Sequence, residues 1–155
     1  MIASDLRFRA ATSDDRAQVE ALLTVNGLPT AGVAEIFTRD PSQFVVAFDG
    51  DELVASAAVE ECCEHALLRS VAVAESWRKR GLGRALVEQA VTRAAARGID
   101  GLYLLTMTAE TYFPKFGFTR VERADVPSVI AQTIEFTGAC PASAVAMHRS
   151  LRSDP

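Results

Sequence analysis

"SVAVAESWRKRGLGRALVEQAV", Ser70 to Val91, joins an apolar run to an amphipathic segment through a loop in which Arg78, Gly81 and Gly83 fall at R-x-x-G-x-G spacing. Beyond the loop Leu82, Leu86, Ala90 and Ala94 recur every four residues with Val87 and Val91 beside them, and Gly98 stands where a helix cap belongs. The stretch therefore reads as strand, glycine loop, helix. The first N–H groups of a helix lack intrahelical partners and carry about half a positive charge, so they favour a phosphate, and glycine lets the ligand reach them. Arg78, Lys79, Arg80 and Arg84 concentrate positive charge at the same place. The glycines would equally serve a plain strand-to-helix turn with the arginines as a solvated face. Two familiar phosphate loops are excluded by spacing. A dinucleotide G-x-G-x-x-G needs a small residue where Leu86 stands, and no Gly-Lys-Ser/Thr of a Walker loop exists.

Working outward, Leu6 to Ala10 alternates as a half-buried strand, and "TSDDRAQVEALLTV" offers Thr12 or Ser13 as N-cap of a first helix. Asn26-Gly27 and Pro29 stop it, and "GVAEIFTRD" forms a second short helix ending before Pro41. "FVVAF", Asp49-Gly50 and "ELVASAAVE" make a hairpin, and "HALLRSVAV" is the next strand, after a connection near Glu61 to Glu64. After the glycine-loop helix come the buried strand "GLYLLTM", the short helix "AETYFPKF", a turn at Gly117-Phe118 into another strand, and a final strand "SAVAMHRSL". This order is α+β, with helices on a mixed sheet whose strands before and after the loop helix run parallel.

The 155 residues fit a single domain, 1–155, and a composition of 49% hydrophobic and 23% charged residues is that of a soluble globular protein. A net charge of -4 argues against nucleic acid and anionic membrane as general partners, leaving the basic loop as a local anion site. Three cysteines, Cys62 and Cys63 adjacent and Cys140 apart, form neither a disulfide scaffold nor a metal-type Cys/His pattern, so no metal is expected. With no signal-like or membrane-spanning run, the cytoplasm is the expected compartment. The oligomeric state stays open, a homodimer being the commonest soluble form.

With these elements in place, "LRFRAATSDDRAQVEALL", "LLRSVAVAESWRKRGLGRALVEQAV" and "YFPKFGF" together resemble the GCN5-related N-acetyltransferase (GNAT) superfamily over nearly the whole chain. "ALLRSVAV", "YFPKFGF" and "CPASAVAM" are most similar to the small acetyltransferases of arsenic-resistance operons, and secondarily to the acetyltransferase domain of N-acetylglutamate synthases. The resemblance implies a mostly antiparallel central sheet flanked by helices, with acetyl-CoA as cosubstrate held between splayed parallel strands. It also implies that the backbone of Arg78, Lys79, Arg80, Gly81, Leu82, Gly83 and Arg84 binds the pyrophosphate, and that Val71, Ala72 and Val73 offer main-chain groups to the pantetheine arm. The arm then pairs like an extra strand.

Acetyl transfer to an amine needs a base for the ammonium proton and a proton for the departing thiolate. Glu60 is the chosen base among Glu60, Glu61 and Glu64. The family's usual tyrosine acid falls four residues before the closing glycine, where Phe113 stands, and Tyr112 is its neighbour. A one-residue helical shift turns a side chain by about 100°, so Tyr112 serves as acid only if the short helix is rewound at Pro114. Otherwise the thiol leaves with solvent or another donor. Arg69, a cation in an apolar strand, binds a substrate carboxylate or pairs with an acid of the sheet; the substrate role is preferred. Ser70 is placed on the face opposite Arg69 and given no nucleophilic role. His65 and His148 read as isolated strand-end residues. The expected function is direct acetyl transfer to a small, amino-acid-like amine. Its rivals are an acyl-CoA-binding regulatory module without turnover, which Phe113 favours, and acetylation of a protein or peptide.

Overall fold

The computed structural model describes residues 6–62, 64–106, 112–133, 136 and 144–151. In chain order these contain β1 (Leu6–Ala10), α1 (Arg16–Val25), α2 (Val33–Arg39), β2 (Phe44–Asp49), β3 (Glu52–Cys62), β4 (His65–Val73), α3 (Leu82–Ala96), β5 (Gly101–Thr106), β6 (Thr119–Val121), α4 (Ser128–Ala131) and β7 (Val145–Ser150). The strands form one seven-stranded sheet in the order β1-β2-β3-β4-β5-β7-β6. Every described pairing is antiparallel except β4 with β5, which a crossover through α3 makes parallel. The expected α+β architecture is therefore the observed one. Cys63 and Cys140, Met107, expected to end the fifth strand, Ser143, expected to open the last, and the first residues of "AETYFPKF" lie outside the described residues.

Helices cover both faces, which is why the central strands read as continuous apolar runs. In β2, Val45 and Ala47 face α3 and its buried Leu82, Leu86, Val87 and Ala90. Phe44, Val46 and Phe48 face Val19, Leu22, Leu23, Ile36 and Phe37 of α1 and α2 on the other side. The first helix begins later than its cap suggests. Ser13–Asp15 is a 3-10 turn, and Asp15 accepts the Thr12 N–H at 2.8 Å while pairing with Arg9 at 2.7 Å. Those contacts, the Arg9 hydrogen bond foremost, hold the Asp15 carboxyl below the usual carboxylate range against the opposing effect of burial. Helix α3 ends as expected: Gly98 and Ile99 donate to Ala95 and Ala94, both at 3.1 Å, and Ile99 is buried beneath the turn.

Two features were absent from the sequence reading. Strand β3 runs through Cys62, so Glu61, expected in the connection, lies within the ladder opposite Ala66, next to Glu60 opposite Leu67. The one-turn helix α4 packs Ile130 against Leu67 and Tyr103, forming a third, smaller apolar cluster.

Candidate active site

The site begins with an irregularity in β4. Ser56 pairs with Ala72 but Ala58 pairs with Arg69, so Ser70 and Val71 together oppose Ala57 as a β-bulge. The extra residue inverts the alternation. Ala66 and Leu68 face α3 before it, whereas Val71 and Val73 do so after it. Ser70 takes φ +58°, a left-handed conformation costing a non-glycine residue about 1–2 kcal/mol. The strict alternation expected for this strand fails here. Ser70 does not stand on the face opposite Arg69: its hydroxyl receives the Arg69 Nε–H at 3.3 Å, and its carbonyl receives the Ser56 hydroxyl at 2.8 Å.

The bulge also separates β4 from β5. Parallel pairing is confined to His65, Ala66 and Leu67 with Gly101, Leu102 and Tyr103, although β4 continues to Val73. Ala74 N–H donates to the Val54 carbonyl at 2.8 Å, so the ladder's alternation turns the N–H and C=O of Val73 away from β3, into the gap. Of the three residues expected to offer main-chain groups, Val71 and Val73 are half-buried beside α3, and Ala72 is buried on the α1–α2 face.

The glycine loop closes the end of this gap. Glu75–Trp77 is a 3-10 turn anchored by buried Trp77, over whose ring the Arg80 guanidinium lies at 5.1 Å. Lys79 and Gly81 then adopt φ +66° and +81°, and α3 starts at Leu82. Alternating hands of backbone make a concave nest of N–H groups. The first helical hydrogen bond is Ala85 N–H to the Gly81 carbonyl at 3.1 Å, so the amides of Leu82, Gly83 and Arg84 precede the intrahelical ladder. Among the described residues, Ser70 and Lys79 are the only non-glycine residues with positive φ, and both border the gap. Arg78 reaches back, donating from Nε to the Val73 carbonyl at 3.3 Å and from Nη2 to Asn26 Oδ1. The side chain of Arg84 is exposed and stands 3.9 Å from Glu88.

Tyr112 and Phe113 separate clearly. Phe113 opens a 3-10 turn, Phe113–Phe116, and is buried edge-on against Phe118. Tyr112 packs edge-on against Phe113 and Phe116 but extends its hydroxyl to α3, where a Cβ added to Gly83 would stand 3.2 Å from the oxygen and 3.5 Å from Val73 Cγ2. The tyrosine one position from the usual place thus reaches the junction of loop, helix and gap. Burial raises its hydroxyl above the ordinary phenol range, with Arg84 pulling down and Glu88 pushing up, so it carries its proton at neutral pH.

Glu60 and Arg69, read separately from sequence, are brought together. Arg69 Nη1 meets Glu60 Oε1 at 3.3 Å, the arginine side chain fully buried and the carboxylate 15% exposed. Arg69 Nη2 also donates to the Ala31 carbonyl at 2.6 Å. Between the two expectations for Arg69, the structure has it paired with an acid of the sheet. Glu61, the unchosen neighbour, is bound to Arg97 at the surface. The sequence reading missed the connection between α1 and α2. Its two ends are held by arginines, Asn26 by Arg78 and Ala31 by Arg69, and Asn26-Gly27 had registered only as a helix stop.

A split sheet with a cationic amide nest at the mouth of the split, and a phenol and an acid–arginine pair beside it, is what this α+β fold assembles around the gap. Residues 40–120, just over half the chain, match the family model for the acetyltransferase (GNAT) domain, and the chain belongs to that family. An uncharacterized N-acetyltransferase of Chlorobaculum tepidum is 30% identical over 87 residues, 56% of this chain and 56% of that protein, so the chain spans about half the length of the curated relative it matches. Among solved structures, the N-acetylglutamate synthase of Neisseria gonorrhoeae complexed with coenzyme A and N-acetyl-glutamate superposes with a TM-score of 0.81 at 20% identity, over 98% of this chain and 36% of that one. A Mycobacterium tuberculosis protein in complex with CoA gives 0.78 at 20% identity, covering 94% of this chain and 99% of that one. The Escherichia coli ribosomal-protein-S18-alanine N-acetyltransferase gives 0.70 at 16% identity, covering 97% and 96% respectively. These structural likenesses bear on the fold. No helix among the described residues is long and apolar enough to cross a membrane.

Proposed function

We propose that the chain is an acetyl-CoA-dependent N-acetyltransferase that passes the acetyl group directly to the amine of a small, amino-acid-like acceptor in the cytoplasm. The observation that carries this reading is the place of the Tyr112 hydroxyl, 3.2 Å from the vacant Cβ position of Gly83, where the split sheet meets the amide nest. A methyl group there would fill the cradle, and its absence fits the close approach of a ligand chain.

The backbone from Arg78 to Arg84 would hold the pyrophosphate, and the outward main chain of β4 from Val71 to Val73 would pair with the pantetheine amides. Arg78 would release the Val73 carbonyl as it does so. When bound, acetyl-CoA supplies an activated acetyl thioester. The chain's own residues then manage two protons. Tyr112, neutral because burial raises its hydroxyl, holds one for the sulfur side. On the acceptor side, the substrate's carboxylate takes Glu60's place on the Arg69 guanidinium, and the released Glu60 accepts the ammonium proton directly or through one water. This exchange gives Arg69 its substrate role despite its burial, and the likeness to a synthase complexed with N-acetyl-glutamate supports an amino-acid acceptor. The resemblance to arsenic-operon enzymes adds arsenic- and phosphorus-containing amino-acid analogues to the candidates.

The test is mass spectrometry of products after incubation with acetyl-CoA and a panel of amino acids, those analogues, polyamines and peptides. An acetylated amino acid or analogue is the expected result. Acetylation of peptides alone would move the acceptor to a protein terminus, and CoA binding with no product from any amine would leave a ligand-sensing module in place of an enzyme.

A further inference from the structure

The mechanism uses neither histidine of the chain, and the fold brings the two together. His65 opens β4 opposite Gly101 of β5, and His148 lies in β7 opposite Tyr103. Gly101 sits between them. A Cβ built on it would stand 2.9 Å from His148 Nε2 and 3.5 Å from His65 Nδ1, so both ring nitrogens converge over the same bare glycine. Both rings pack on Tyr103, with centroids 5.8 Å and 4.6 Å away, which fixes their tilt. His65 Nδ1 is buried and has no hydrogen-bond partner, the sole such side-chain atom among the described residues. A buried imidazole nitrogen without a partner forgoes a hydrogen bond it could make in water. A ligand that accepts its lone pair would restore that loss.

We propose that His65 and His148 together form a two-imidazole site for a late first-row divalent cation such as Zn2+ or Cu2+, at the paired end of the β4–β5 junction. Imidazole nitrogen is a preferred donor to these metals, whereas Mg2+ and Ca2+ take oxygen. Burial and the neighbouring His65 hold His148 below the usual imidazole range, consistent with an unprotonated donor at neutral pH. No cluster of three His, Cys, Asp or Glu gathers among the described residues, so the remaining coordination positions fall to water or an exogenous ligand. The site lies at the opposite end of β4 from the amide nest, roughly 25 Å along the strand. Its action is therefore structural: the ion ties β4 to β7 across Gly101 of β5, at the end where β4 and β5 are paired.

The test uses the full chain stripped of metal with a chelator and titrated with Zn2+ and Cu2+ by calorimetry. One equivalent should bind with micromolar affinity, raise the thermal midpoint, and bind at least tenfold more weakly to His65→Gln and to His148→Gln. Because the chain contains two histidines in all, a second readout needs no variant. Substoichiometric Cu2+ should broaden the imidazole resonances of both histidines together. Absence of binding at millimolar ion, unchanged affinity in either folded variant, or broadening of one histidine without the other would overturn the proposal.

Discussion

Replacing Gly83 by alanine separates stability from catalysis. Gly83 is the second residue of α3, and its φ is not in the left-handed region, so alanine meets no backbone strain. Alanine is favoured over glycine in a helix interior by about 1 kcal/mol, and about half of that is expected in the first turn. For a chain of this size that raises the thermal midpoint by about 1–2 °C. The added methyl would stand 3.2 Å from the Tyr112 oxygen and 3.5 Å from Val73 Cγ2. The first contact is a few tenths of an ångström inside a relaxed C···O separation of about 3.5 Å, so the flexible phenol gives way rather than the helix. The hydroxyl is displaced and the methyl enters the ligand's path. A positioned general acid contributes about 10²–10⁴-fold, so kcat/KM should fall about 100-fold, equivalent to roughly 2.7 kcal/mol of transition-state stabilisation. The assay is release of free thiol from acetyl-CoA, with the melting curve taken on the same preparation. A variant that is as stable as the parent and keeps its kcat/KM would refute both the role of Tyr112 and the close approach at Gly83.

Tyr112→Phe should retain CoA affinity, lower kcat about 100-fold and abolish the alkaline fall of the pH–rate profile. In the parent that fall should lie above the ordinary phenol range because burial raises the hydroxyl. An unchanged profile would remove the tyrosine from the reaction. Arg69→Leu removes the buried guanidinium that meets Glu60 at 3.3 Å, and loss of one member of a buried pair costs about 3 kcal/mol, to be read by urea unfolding. The same variant should raise KM for a carboxylate-bearing amine far more than KM for acetyl-CoA, and equal effects would argue for a purely structural pair. Asp15, depressed in the folded state, titrates lower there than in the unfolded chain, where it sits near 3.8. Its stabilisation is complete above that value and is lost as pH falls through the lower folded one, the unfolded chain binding the extra proton. Asp15→Asn should flatten the acid side of a stability–pH curve measured by chemical denaturation.

The element order was legible because each piece has its own period and punctuation: fours from Leu82 to Ala94, the Asp49-Gly50 turn, the caps at Thr12 and Gly98. The parallel pairing of β4 with β5 followed from a helix between them. The bulge at Ser70 was not legible, since a serine carries no mark of positive φ, and missing it misplaced Ser70 relative to Arg69. For Arg69 an acid of the sheet was one alternative, but that the acid is Glu60 was not legible, because it depends on the register of β3 against β4, which neither strand encodes alone. The reach of Tyr112 turned on the 3-10 winding at Pro114, and a 100° argument for an α-helix does not settle that. His65 and His148 looked isolated because they stand 83 positions apart in the chain, on strands that β5 brings into one layer.

The three-register junction between β4 and β5 leaves an unfinished seam in the middle of the sheet. Peptide groups on that side of β4 beyond Leu67, at the centre of the molecule, face the seam instead of a neighbouring strand. In the ligand-free protein such amides should trade hydrogen for deuterium at rates ordinarily seen at a sheet's rim, while β2 and β3 beside them stay slow. A bound chain with its own amides would close the seam and slow them. The interior strand thus acts as the molecule's occupancy gauge, and exchange at Val71 and Val73 would report a filled cleft before any product is made.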